Sequence, residues 1–142
     1  IAELPAERII SMGVSAGGYP AVRYGLALGA SHIISVAGPT AFTPESLRLD
    51  RRIQIASTRI LRRFPDLKES LADLIREHKQ PVQIDQFYGA DMPEDSQHAA
   101  RIEGLPGVRL HKLEGVGVHR ILKPLIEDGT IEKCLRDAIE GR

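Results

Sequence analysis

The chain has 142 residues, 19 Lys plus Arg against 19 Asp plus Glu, one cysteine and 4% aromatic residues. That length suits one domain with a real core. The balanced charge argues against nucleic acid or an anionic membrane as the main partner, since both select a basic excess, and no apolar run is long enough to span a bilayer. The single Cys134 cannot form an internal disulfide, which makes a reducing compartment, the cytoplasm, the default. It shares a helix face with Ile131 and Ala138 and reads as a small buried hydrophobe rather than a reactive thiol. The N-terminus has no signal-peptide pattern and opens on Ile1 rather than Met, so we expect a cut or processed chain with an upstream part.

The first element is a short apolar run, Arg8 to Met12, followed directly by Gly13-Val-Ser15-Ala-Gly17-Gly18. A small-residue helix from about Gly18 to Leu28 comes next, with Gly29 as its C-cap. A serine between glycines suits a strand-to-helix turn so tight that its central residue is strained and side chains two positions either side would collide. On this reading Gly13 and Gly17 remove those side chains, and Ser15 stands exposed at the carboxyl end of the strand. The N–H of Ala16 and the positive end of the helix lie beside its oxygen. Three fixed positions recur by chance in roughly 5% of chains this long, so the flanking strand and helix carry the reading. A phosphate-binding loop competes for the same pattern. It fits poorly, because Ser15 occupies the middle glycine position of G-x-G-x-x-G, no acidic residue ends the next strand, and no Gly-Lys-Ser/Thr follows.

The second strand is predicted at His32 to Ala37. Thr43 to Gln80 is then too long for a simple crossover and reads as a helical cap or lid insertion over 43–80. Its first helical pattern, around Leu47 to Phe64, carries Arg48, Arg51, Arg52, Arg59, Arg62 and Arg63; a solvated face is favoured over an anion site. In the second, Asp66 caps the start, Glu69 returns the bond, and Leu67, Leu71, Leu74 and Ile75 make an apolar stripe. A third strand follows at Val82 to Tyr88, a helix at Glu94 to Glu103, a turn at Gly104-Leu-Pro-Gly107, and a fourth strand at Val108 to Leu113. Two helices close the chain, Ile121 to Glu127 and Thr130 to Ile139, the latter capped by Thr130. Strands alternating with helices predict an α/β fold, a mostly parallel sheet of about four strands covered on both faces.

A serine hydroxyl needs a base, and the base needs an orienting carboxylate. Tyr88-Gly-Ala-Asp91-Met-Pro93 follows the third strand and Glu114-Gly-Val-Gly-Val-His119 follows the fourth, both on the sheet edge that carries Ser15. Asp91 is preferred as the acid, with Asp95 as the alternative. His98 and His111 lack a loop position, and His32 and His78 read as surface or packing histidines.

With Gly-Val-Ser15-Ala-Gly-Gly, Tyr-Gly-Ala-Asp91-Met-Pro and a glycine-flanked His119, the chain resembles the C-terminal half of an α/β-hydrolase, over essentially all of residues 1–142. The resemblance implies a serine hydrolase with Ser15 as nucleophile, His119 as base and then acid, Asp91 orienting the imidazole and Ala16 N–H in the oxyanion hole. No metal or organic cofactor is implied. The substrate would be a small-molecule ester or related acyl compound, a polar or anionic one being favoured over a long lipid by the low aromatic content and the arginines. The family's early strands, with the second oxyanion donor, have no counterpart here. Loss of one such donor costs about a hundredfold to a thousandfold, so weak or absent activity is expected of this chain alone. The alternative is a binding or scaffolding domain that keeps the fold without the chemistry. The first strand would become a sheet edge, which predicts self-association or pairing with an N-terminal half.

Overall fold

The structure, a computed structural model, describes residues 7–50, 54–66 and 68–142. Its centre is a four-stranded sheet of β1 (Ile10–Val14), β2 (His32–Val36), β5 (Gln83–Gly89) and β6 (Val108–Leu113), hydrogen-bonded in that order. All three pairings are parallel, with Gly13 opposite Ser35, Ser35 opposite Gln86, and Asp85 opposite Arg109. The four strands stand where the apolar runs predict them, within two residues at each end.

Side chains alternate across a strand, and here that alternation separates two cores. On one face Ile33 and Ile84 meet Tyr19, Val22 and Leu26 of α1 (Gly18–Ala27) and Leu71, Ala72 and Ile75 of α4 (Leu71–Glu77). On the other, Ile34, Val36 and Phe87 meet Ile121, Leu125 of α6 (Leu122–Glu127) and Ile131 of α7 (Thr130–Glu140). β2 is buried at all five positions. Each of its fully buried aliphatic side chains contributes about 1.5–3 kcal/mol relative to exposure.

The segment between β2 and β5 is more divided than its sequence suggests. It contains β3 (Ala41–Phe42), α2 (Pro44–Leu49), α3 (Gln54–Arg63), β4 (Glu69–Ser70) and α4, with β3 and β4 paired antiparallel. The single helix expected from Leu47 to Phe64 is two helices. Thr43 caps the first of them through a reciprocal bond with Ser46. Arg48, Arg59, Arg62 and Arg63 are exposed, as a solvated face requires, while Arg51 and Arg52 lie outside the described residues. The helix expected to start at Asp66 starts at Leu71 instead. Glu69 does not close a capping box; its carboxylate takes the Tyr19 hydroxyl at 2.8 Å and the Arg23 guanidinium, so a tertiary ion pair displaces the local cap. Leu67, part of the expected stripe, lies outside the described residues. Because α4 packs on α1 and the sheet, that helix belongs to the covering layer of the fold.

Smaller differences are local. α5 is shorter than expected, Pro93–Ala100. Gly29 follows the end of α1 with φ +70, the left-handed geometry of a C-terminal glycine. α7 is entered through Gly129 at φ +79, and the Thr130 N–H is taken by the Asp128 carboxylate at 2.9 Å, so Asp128 rather than Thr130 does the capping.

Candidate active site

Ser15 follows the last residue of β1 and opens a single 3-10 turn, Ser15–Gly17, that leads straight into α1. Its φ is +53, a left-handed conformation that a serine adopts only under constraint, at a cost on the order of 1–3 kcal/mol. The neighbouring glycines show what imposes it. A Cβ on Gly13 would stand 2.0 Å from the Gly17 carbonyl oxygen and 2.8 Å from the Ala21 Cβ. Gly17 is different: a Cβ there meets nothing within 4 Å. The second glycine with no room is Gly18, whose Cβ would lie 2.5 Å from the Gly38 Cα and 2.6 Å from the Ser35 Oγ. The turn is therefore pinned by Gly13 beneath it and by the contact of Gly18 with Gly38, the loop after β2. The role assigned to Gly17 from sequence belongs to Gly18.

The Ser15 Oγ lies 2.7 Å from His119 Nε2, although the two residues are 104 apart in sequence. Ser15 follows one edge strand and His119 the other, so the loop after β6 must run back across the end of the sheet. Gly89, the last residue of β5, permits this: a Cβ there would stand 2.5 Å from the Val116 carbonyl oxygen and 3.3 Å from that of Val118. The loop is also held by the Asp91 N–H donating to the Val116 carbonyl at 3.1 Å.

On its other side the imidazole faces Asp95. His119 Nδ1 is 3.0 Å from both Oδ1 and Oδ2 of that carboxylate. Two carboxylate oxygens at one nitrogen make Nδ1 the protonated nitrogen, which leaves Nε2 of the neutral ring as the acceptor for the Ser15 O–H. The Asp95 side chain is 1% exposed and that of His119 24%. Asp95 stands in the first turn of α5, where the helix N-terminus favours a negative charge.

Asp91, the acid preferred from sequence, is not the residue facing His119. It sits in the tight turn between β5 and α5, where the Met92 N–H donates to the Gly89 carbonyl at 3.3 Å. The turn leaves Asp91 exposed, and its charge helps raise the pKa of Lys112, after the larger effect of Glu114. One helical turn later, Pro93 and Glu94 have brought the chain round and Asp95 points inward. His98, a further turn along α5, is 3% exposed. Its Nδ1 accepts from the Thr40 N–H at 3.1 Å, and the Thr40 hydroxyl donates to the His98 carbonyl at 2.7 Å. This pair fastens α5, and with it Asp95, to the segment following β2.

Ala16 follows Ser15 as the second residue of that turn. Cys134 lies at the far side of the sheet, half-buried beside Asp85. Burial first, then the Asp85 charge, pushes its thiol up to about 12.

Solved structures repeat this architecture. The chain is similar to MenH from S. aureus, with a TM-score of 0.64 and 17% identity over 92% of this chain and 69% of that one. It is similar to a thermophilic esterase from Thermogutta terrifontis solved with butyrate bound, TM-score 0.60 and 17% identity over 93% and 56%. A lipase-esterase related protein from Clostridium acetobutylicum aligns with a TM-score of 0.58 and 15% identity over 88% and 66%. No protein-family model and no curated relative matches the sequence. The chain has the α/β-hydrolase fold. It spans part of the length of these three neighbours, from 56% to 69%.

Proposed function

We propose that the chain carries the nucleophile, base and acid of a serine hydrolase that cleaves an ester or related acyl bond through an acyl-enzyme. The observation that carries this reading is the unbroken line Ser15 Oγ, His119 Nε2, His119 Nδ1, Asp95, with contacts of 2.7 and 3.0 Å, at a serine held at positive φ. The fold shared with esterases supports the class of reaction.

In this mechanism the Ser15 oxygen attacks the acyl carbonyl as its proton passes to His119 Nε2. The carbonyl becomes an oxyanion beside the Ala16 N–H. The imidazolium is held by the buried Asp95 carboxylate and returns its proton to the leaving oxygen as the carbon–oxygen bond breaks, leaving the acyl group on Ser15. Water then attacks that ester with His119 again taking a proton. The acid is released and Ser15 regains its hydrogen. Acyl transfer to an acceptor other than water would use the same groups. The segment of α2 and α3 is the remaining candidate for a cover over the substrate.

Intact-mass labelling with a fluorophosphonate tests the proposal. One adduct that maps to Ser15 and is lost in Ser15→Ala is the expected result. If no adduct forms on this chain, nor on one extended upstream to the length of the neighbours, the fold serves binding rather than catalysis.

A further inference from the structure

At the amino-terminal edge of the sheet, opposite the Ser15 corner, a second group of reactive side chains converges on Asp85. Asp85 is fully buried in β5. Its two oxygens have different neighbours. Oδ1 accepts from Arg109 Nε at 2.9 Å and faces His111 Nε2 at 2.6 Å. Around Oδ2 stand His32 Nε2 in very close contact, the Cys134 thiol at 3.7 Å, the Gln83 carboxamide at 3.0 Å and Arg109 Nη2 at 3.0 Å. His32 opens β2 and Cys134 lies on α7, so three separate elements deliver a nitrogen, an oxygen and a sulfur to one point. These ligand atoms all lie within 4.8 Å of one another.

We infer that His32, Asp85 and Cys134 form a binding site for a thiophilic divalent cation of the zinc class. Nitrogen, carboxylate oxygen and thiolate are the donors such an ion takes, in a tetrahedron whose neighbouring ligand atoms are about 3.3–3.8 Å apart. The sulfur and Oδ2 already have that separation. The His32 ring must turn away from Oδ2 to open a place for the ion. Gln83 completes the set, since turning its carboxamide over presents an oxygen where its nitrogen now contacts His32 at 3.1 Å. The Oδ1 edge supplies the supporting hydrogen bonds that a ligating carboxylate needs, from Arg109 Nε and His111. Arg109 Nη2 must release Oδ2, and its side chain, 52% exposed, can move toward solvent. An entry path exists: a cavity of about 610 Å³ beside Arg8, Ser31 and Ala138 reaches His32 and Gln83. Binding exchanges the Cys134 S–H proton, lost to solvent, for a metal–sulfur bond, so affinity rises with pH.

Cobalt titration of the whole 142-residue chain tests the site. One equivalent of Co²⁺ should produce a thiolate-to-cobalt charge-transfer band in the near ultraviolet, together with strong visible bands of tetrahedral geometry, and one equivalent of Zn²⁺ should bleach both. With a single cysteine in the chain, that band identifies Cys134 without any variant. His32→Gln should weaken binding at least tenfold, whereas Ser15→Ala and His119→Ala should leave it unchanged, which separates this site from the Ser15 corner. Absence of the charge-transfer band at millimolar Co²⁺ overturns the proposal. Undiminished affinity in His32→Gln overturns the ligand assignment.

Discussion

Replacing Asp95 with asparagine removes one charge and almost no volume, and it discriminates sharply between the two candidate acids. The carboxylate is 1% exposed and both of its oxygens lie 3.0 Å from His119 Nδ1. In the asparagine variant, one of those positions becomes a carboxamide NH2, a donor that cannot accept the Nδ1 proton. The ring then either flips tautomer, turning an N–H toward Ser15, or forms its cation without a counter-charge. Loss of the carboxylate from such a relay costs about 10⁴ in rate, or about 5.4 kcal/mol of transition-state stabilisation. The assay is the second-order rate of fluorophosphonate labelling, measured beside circular dichroism to verify folding. Asp91→Asn should stay within about threefold of the parent, because an exposed charge near Lys112 is largely screened. A folded Asp95→Asn chain labelled within tenfold of the parent, or an Asp91→Asn chain slowed a thousandfold, would refute the assignment.

Three further outcomes follow from the packing. Gly13→Ala should lower stability by about 3 kcal/mol or prevent folding, since its methyl meets a backbone oxygen 2.0 Å away; Gly17→Ala, with open space and φ −72, should be neutral or stabilise by about 0.4–1 kcal/mol, as chemical denaturation would measure. His98→Leu should cost about 1–3 kcal/mol in the same experiment, because the buried Thr40 N–H loses its acceptor. The exposed edge of β1, where Met12 is 39% and Val14 36% exposed, should make this chain associate with itself. Light scattering across a concentration series would detect it, and a monomer at every concentration would count against edge pairing.

The sheet was legible because its strands are short apolar runs separated by helical periods, a pattern that survives without tertiary information. Ser15 and His119 were legible for a related reason: each lies in a glycine-rich loop at the carboxyl end of a strand. Which carboxylate faces His119 was not, because Asp91 and Asp95 are four residues apart and the choice depends on where α5 begins. Pro93 as first helical residue turns Asp95 inward, and only the tight turn at Gly89–Met92 fixes that start. Glu69 misled for the opposite reason. Its spacing from Asp66 suits a local cap, yet Tyr19 and Arg23, remote in sequence, supply better partners. Gly18 against Gly38 and the cluster around Asp85 are contacts between elements far apart in the chain. No spacing rule reaches them.

The bond between Ser15 and His119 joins the two outer strands of the sheet, β1 and β6, across the intervening ends of β2 and β5. The contact therefore requires all four strands in their places. On the proposed role of Ser15, its labelling under rising denaturant should fade ahead of the circular dichroism of the helices, which would make it a gauge of whether the far edge of the sheet is still docked.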